Sequence, residues 1–502
     1  MKALRDTGGN AVAKPRRPSP GLECIQSAYI SYKKVELMTG NREDAIARST
    51  QYLDTGEFEA ELARRVAIRT ESQIADNTKP LDEYIHHEMV PAFEQMEFNC
   101  TVFENPVPGH GPILLAERHE SDKYNTVLGY GHGDVIIGQD DVWQKGNGPW
   151  KLARDGEKLY GRGTADNKAQ HTINMAALRC VLEEKNQLGF NAKMLIEMGE
   201  EAGSVGLREV ITSNKDKCIA DVFIGSDGPR VNPHTPTLTL GSRGAINFEL
   251  TVNLRQGAHH SGNWGGLIAD PAIILTSALA TITDSKGQIQ INEWLAPRSD
   301  VVIEALRGVE VSAGDTAPEI DLHWGDPNLT PAEKVYSANS FAILAIICGD
   351  PDNPVNAIAP TARAHCQLRY FAGTNDALII PALRKHLDER GFEQVLIDDK
   401  PEQNGASFPA ARTEPDNPWV EFVAKSMKRT NRAVPTILPS MGGSICNDLF
   451  TDLLGLPAIW IPHSYAGCSQ HAPDEHVLLP LCRSALETMT GLYWDLGTLV
   501  PA

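Results

Sequence analysis

Five short stretches hold the residue types that bind cations and move protons. "VLGYGHGD" ends in His132 and Asp134, "YGRGTADNK" holds Asp166, and "MLIEMGEE" ends in Glu200 and Glu201. "VFIGSDGP" carries Asp227 and "GCSQHAPDEH" carries His471. Imidazole nitrogen and carboxylate oxygen are the donors that zinc and similar divalent ions take from proteins. Two such ions about 3.5–4 Å apart activate a water and polarise a carbonyl. One carboxylate must then bridge them, and a carboxylate free of metal must accept the water's proton. The adjacent pair Glu200–Glu201 can supply a ligand and a base side by side. Without cations, two like charges at the end of a buried strand repel each other and resist desolvation. Cations offset that repulsion.

Taken singly, each stretch also reads as plain structure. An HxD at a strand end is commonly a hydrogen-bonded loop, and "SDG" a turn. "EE" before a small residue and Gly is commonly a solvated turn. Asp166 can cap a helix, and His471 can be a surface histidine. Their joint occurrence, in this order and mostly after apolar runs, is what points to one site.

The elements that must position these residues are legible as apolar runs. "PILLAER", "NTVLGYGHGD", "AKMLIEMGEE", "DVFIGSDGP" and "PAIWIPHS" are rich in Val, Ile and Leu, bounded by Gly or Pro, and separated by helix-period segments. That is the pattern of buried strands in an α/β sheet. Open α/β sheets bind ligands beyond the carboxyl ends of their strands, and there His132, Glu200 and Asp227 fall. Between two of these runs Ile173, Ala176, Ala177, Cys180 and Val181 form an apolar helical stripe, with Gly189 as its expected stop. Residues 41–69 read as helical, and "LDEYIHHEMVPAFEQM" as a helix broken or kinked near Pro91.

A second block differs. "AINFELTVNLR" alternates apolar and polar residues, "PAIILTSALATI" has helical character, "ARAHCQLRYFAG" reads as a strand, "ALIIPALRKHLDERG" as a helix and "EQVLIDD" as a strand. This order suggests a small α+β, ferredoxin-like domain inserted into the first one. A Pro/Gly/Asp-rich region from about 287 to 356 is expected to be a loop excursion. The reading is an α/β catalytic domain with a mixed, mostly parallel sheet flanked by helices. It is built from residues 41–242 and 413–502, with the insert at 243–412. Residues 1–40, with "KPRRPSPG", form an extension expected to be mobile.

The formal net charge of −19, from 65 acids against 46 bases, argues against nucleic acid or an anionic membrane surface as partner. No apolar run approaches the roughly 18 residues of a membrane span, and the N-terminus lacks the apolar core of a signal peptide. Nine cysteines are scattered singly from Cys24 to Cys482, with no CxxC spacing, which suits a reduced, cytoplasmic setting. "GYGHGD" does not read as a nucleotide loop, since it lacks both GK[ST] and the GxGxxG spacing.

Together "GHGDV", "YGRGTADNK", "MGEEAGS", "SDGP", "HHSGNWGG" and "SQHAPDEH" resemble the motifs of the carnosinase-type dinuclear metallopeptidases, whose relatives include aminoacylase, succinyl-diaminopimelate desuccinylase and glutamate carboxypeptidase. The resemblance runs from about Leu53 to near the C-terminus. It implies that His132 and Asp227 bind one metal, that Glu201 and His471 bind the other, and that Asp166 bridges them. It implies Glu200 as general base, Asp134 as the group orienting the His132 ring, and a cis peptide bond after Asp166. The insert resembles the family's lid and dimerisation domain. There His260, in "HHSGNWGG", takes the place of an oxyanion-stabilising histidine that often comes from the partner subunit. "NAIAPTARAHCQLRY" and "MGGSICND" resemble substrate-binding segments, which points to Arg369, Asn356, Gly443 and Ser444. The sequence departs from the family pattern at Ala169, commonly Gly, and at Cys446, commonly Pro.

The resemblance implies an amidohydrolase or dipeptidase that cuts an amide near a free carboxylate, with two divalent ions, zinc first and manganese or cobalt as alternatives. Its substrate is a small peptide or N-acyl amino acid, and its assembly a homodimer. The alternatives are a deacylase acting on a specialised N-acyl metabolite and, from another class, a non-catalytic metal-binding scaffold. The scaffold requires a missing ligand or base, whereas every candidate is present.

Overall fold

The computed structural model describes residues 32–34, 40–311, 319–399 and 408–501. Along the chain its main elements are helix α1 (Arg42–Asp54), strands β1 (Asn99–Phe103), β2 (Ile113–Arg118) and β3 (Thr126–His132), helix α2 (Lys168–Lys185), and strands β4 (Asn191–Glu197), β5 (Val222–Gly225) and β6 (Thr237–Thr239). The insert follows with β7 (Gly244–Asn253), α3 (Pro271–Ile282), α4 (Pro331–Tyr336), β8 (Ser340–Ile347), β9 (Thr361–Tyr370), α5 (Ile379–Asp388) and β10 (Val395–Asp398). The chain closes with α6 (Pro418–Asn431), β11 (Thr436–Leu438), β12 (Ala458–Trp460) and α7 (Leu479–Leu496).

The large sheet has eight strands in the order β11-β6-β12-β5-β3-β4-β2-β1. Its centre, β12-β5-β3-β4, is parallel, and β2 and β1 extend it antiparallel. Alternation along β2 explains why these strands read as unbroken apolar runs. Leu114 and Ala116 face one hydrophobic cluster under α1, α2, α6 and α7, whereas Ile113 and Leu115 face a second one with Leu128, Tyr130 and Trp460. A sheet buried on both faces leaves few positions for polar side chains. Helix α2 is buried almost all round rather than along one stripe. It ends at Asn186, in the left-handed conformation at φ 58°, and not at Gly189.

The insert is a four-stranded antiparallel sheet, β8-β9-β7-β10, with α3 and α5 packed on one face through Leu275, Leu279, Leu383 and Leu387. Its βαββαβ order is that of a ferredoxin-like domain. The region from 287 to 356 is therefore not a plain loop excursion: it holds α4 and the whole edge strand β8. The misreading has a physical source. The apolar residues of β8 do not alternate with polar ones, and Ile343, Leu344, Ile346 and Ile347 are all about half exposed. The chain leaves the first domain at Gly241–Ser242 and returns at Ala411–Arg412, and these two segments pair antiparallel.

Residues 78–94 are helical throughout, with a π-helical turn at Tyr84–Met89 just before Pro91. The wide turn accommodates a residue that has no N–H to donate. The N-terminal extension lies outside the described residues, apart from Tyr32–Lys34, which pairs antiparallel with Leu499–Pro501, and Gly40. Among the described residues no helix is long and apolar enough to cross a membrane, and all eight cysteines are free thiols.

Candidate functional site

The parallel strands bring their carboxyl ends to one rim. There two groups of donors form, His132 with Asp166 and Asp227, and Asp166 with Glu201 and His471; in each, the ligand atoms lie within 4.8 Å of one another. Asp166 belongs to both. Its Oδ1 is 2.9 Å from His132 Nε2 and its Oδ2 is 3.1 Å from His471 Nε2. Asp227 Oδ2 is 3.6 Å from the same nitrogen of His132, and Glu201 Oε2 is 2.9 Å from that of His471. The bond Asp166–Asn167 is cis.

Asp134 lies behind this cluster, wholly buried. One carboxylate oxygen is 3.3 Å from His132 Nδ1, on the ring edge opposite the cluster. The same carboxylate accepts from the backbone N–H of Glu200 at 3.2 Å and of Glu201 at 3.0 Å, and from the Ser72 hydroxyl at 2.6 Å. One side chain thus sets both the imidazole and the turn that presents the two glutamates. Glu200 shares a cavity of about 490 Å³ with Asp166, Asp227 and His471.

The electrostatics suit cations. Four carboxylates, Asp166, Glu200, Glu201 and Asp227, stand beside the two imidazoles of His132 and His471. Burial, reinforced by the charge of Asp166, pushes Asp227 up to about 6 and Glu201 up to about 8. Burial also moves Glu200 well above its ordinary value, with Asp227, Glu201 and Asp166 adding to the shift. Asp166 goes the other way: burial opposes its ionisation, but the rings of His132 and His471 hold it well below the usual range. Hydrogen bonds to Asp166 and Glu201 push His471 up to about 11. Imidazole and carboxylate donors with excess negative charge form a set that fits two divalent cations.

Several contributors escape the sequence reading. Glu475, 1% exposed, pairs with Arg162 at 2.8 Å and accepts from the backbone N–H groups of Gly163, Ala165 and Asp166. It therefore clamps the loop that carries Asp166 to the loop that carries His471. Its place four residues after His471 is the signal for it. Gln470 donates to Asp166 Oδ2. Glu197, the last residue of β4, accepts from the Tyr130 hydroxyl at 2.7 Å and the Ser204 hydroxyl at 2.8 Å, which anchors the far end of the glutamate turn.

Arg369, near the end of β9, donates from Nη1 to Ser444 Oγ at 3.1 Å and from Nε to Gln367 Oε1 at 3.0 Å. Arg369, Gly443 and Ser444 line the same cavity as the acidic cluster. His260 and Asn356 do not line it. His260 is exposed, with Nδ1 accepting from the Gly262 N–H at 3.1 Å. The Asn356 carbonyl accepts from the N–H of Ser261 and from its hydroxyl. The two residues are neighbours on the insert, where His260 pairs with Ala357.

Residues 128–495 match Peptidase family M20/M25/M40. Beta-Ala-His dipeptidase of Mus musculus is 36% identical over 245 residues, covering 45% of this chain and 49% of that protein. The chain thus spans about half the length of this relative. Cysteinylglycine-S-conjugate dipeptidase of Corynebacterium striatum is 26% identical over 364 residues, covering 70% of this chain and 76% of that protein. The crystal structure of human carnosine dipeptidase 1 has the same fold, with a TM-score of 0.70 at 20% identity over 91% of this chain and 100% of that one.

Proposed function

The chain belongs to peptidase family M20/M25/M40, and we propose that it is a metal-dependent dipeptidase that hydrolyses an amide bond near a free carboxylate. The observation that carries this reading is the pair of donor groups joined at Asp166. His132, Asp166 and Asp227 would hold one cation, and Asp166, Glu201 and His471 the other. Two divalent ions held there, zinc for preference, would supply Lewis acidity towards a carbonyl and lower the pKa of a water.

The remaining steps belong to this chain's side chains. Glu200 takes the water's proton on its carboxylate as the oxygen attacks the carbonyl carbon, and delivers that proton to the leaving amine nitrogen. Asp134 keeps the Glu200 backbone and the His132 ring in register throughout. Arg369 and Ser444, with the backbone at Gly443, hold the substrate's carboxylate, and the guanidinium fork suits that task.

The chain acts as a homodimer in this proposal, joined through the insert at 243–412. Strand β8 supports it, because it is a sheet edge with four large apolar side chains about half exposed. Such an edge invites pairing with a second strand. His260 and Asn356 then complete the partner's cavity, with His260 stabilising the oxyanion. The free thiols of the eight described cysteines support a reducing, cytoplasmic location.

The test is Glu200→Gln in zinc-loaded protein assayed with a dipeptide panel. Turnover is expected to fall by about 10²–10⁴-fold while bound zinc stays at the wild-type ratio. Retained turnover would remove Glu200 from the role of base.

A further inference from the structure

Arg369 and the loop Met441–Ser444 bound one end of the cavity, and the wall beside them is apolar. Val335 of α4 packs against Gly442, where an added Cβ would meet its Cγ1 at 3.1 Å. Met441 reaches towards Gly228, the residue after Asp227, where an added Cβ would meet its Cε at 3.4 Å. Met441 therefore runs from the anchoring loop to the edge of the acidic cluster. Val231, Leu438 and Tyr336 complete the wall, and they belong to a hydrophobic cluster that joins the first domain to the insert.

Charge is sparse along this wall. Outside the acidic cluster, the charged residues that line the cavity, among those described, are Arg230 and Arg369. Arg230 turns its guanidinium away, with Nε donating to the Pro462 carbonyl at 3.1 Å and Nη1 to Ser484 Oγ at 3.4 Å. Arg369 is then the charged side chain presented to this end, among the described residues.

We infer that the carboxylate-bearing residue of the substrate has an uncharged, apolar side chain, seated on the wall of Val231, Val335, Tyr336, Leu438 and Met441. The inference rests on the reading of Arg369 and Ser444 as the carboxylate anchor. A basic side chain loses its hydration here and, among the described residues, meets no acid apart from the metal donors and Glu200. An acidic one competes with the terminal carboxylate for Arg369 and displaces it. An apolar side chain gains from leaving water. The cavity of about 490 Å³ has the size of an ordinary small-molecule site.

The experiment measures kcat/KM of zinc-loaded protein for Ala-Gly, Ala-Leu, Ala-Asp and Ala-Lys. Ala-Leu is expected to exceed Ala-Gly by about 10- to 100-fold, and Ala-Asp and Ala-Lys to fall below Ala-Gly. Equal values for Ala-Leu and either charged substrate overturn the inference and leave amide hydrolysis standing. No hydrolysis of any of the four overturns the dipeptidase reading and the inference with it. Val335→Asp is expected to compress the Leu-to-Lys ratio by at least about tenfold. Met441→Ala is a gentler variant that tests the wall if the first does not fold, and it is expected to lower the Leu-to-Gly ratio. Loss of activity in equal proportion on all four substrates would assign the wall a structural role only, and overturn the inference.

Discussion

The carboxylate of Glu475 accepts a hydrogen bond from the backbone N–H of Asp166 at 3.1 Å, across a separation of 309 residues in the chain. Because Glu475 lies in the same loop as His471, one buried side chain fixes the spacing of two proposed metal ligands. Glu475→Gln preserves size but turns an amide NH₂ towards N–H donors and leaves the Arg162 guanidinium without its counter-charge. Breaking such a buried pair costs about 3–5 kcal/mol. The variant is expected to unfold several degrees earlier and to bind zinc about 10–100-fold more weakly, which thermal denaturation and calorimetric titration would measure. Wild-type zinc affinity in a folded variant would show that the clamp does not position the ligands.

Removal of divalent ions leaves Asp166, Glu200, Glu201 and Asp227 crowded without their counter-ions. Chelator-treated protein is expected to lose activity and to melt at a lower temperature. Added zinc is expected to restore both, with a gain near 2.7 kcal/mol at about one hundred times the dissociation constant. A melting temperature indifferent to zinc would count against a built metal centre.

The edge strand β8 makes the proposed dimer testable at one residue. Ile346→Lys places a charge in the exposed apolar row and is expected to yield monomers in sedimentation analysis. If His260 works in the partner's cavity, that monomer loses activity with its zinc still bound. Mixing inactive Glu200→Gln and His260→Ala chains then restores one working site in each mixed dimer, about a quarter of the wild-type rate under random exchange. No recovery on mixing would place His260 outside the reaction.

Glu61 is buried between the Tyr52 hydroxyl at 2.5 Å and Arg65 at 2.6 Å. Burial raises its pKa, but Arg65, Tyr52 and Arg179 together outweigh this and leave it below the ordinary value of 4.5. A carboxyl lowered on folding contributes stability that is present above its unfolded value and lost as pH falls through the folded one. Unfolding free energy is therefore expected to decline below about pH 4.5. Glu61→Gln is expected to flatten that decline and to cost about 3 kcal/mol at neutral pH, since it leaves Arg65 buried with half a partner. Denaturant titrations at several pH values would check both.

The acidic site was legible because its residues sit at the ends of apolar strands, where few other polar groups survive. His132, Glu200 and Asp227 mark the rim in the sequence itself, and Asp166 and His471 enter through loops with distinctive flanks. The supporting contacts were not legible in the same way. Glu475 and Glu197 act through pairings between distant segments, and no local periodicity encodes which backbone a buried carboxylate will meet. Strand β8 escaped for a different reason. Its apolar residues lack a polar alternation, because both faces of an exposed edge strand carry the same kind of side chain.

The paired crossings at Gly241–Ser242 and Ala411–Arg412 have a mechanical consequence. Every proposed metal donor, and Glu200 with them, lies outside the segment between those crossings, whereas Arg369, Val335 and Tyr336 lie within it. A rotation about that hinge line would move Arg369, Val335 and Tyr336 against Ser444, Met441 and the metal donors, so the substrate grip would open between its own two halves. Product release through that opening would require no loosening of the ions.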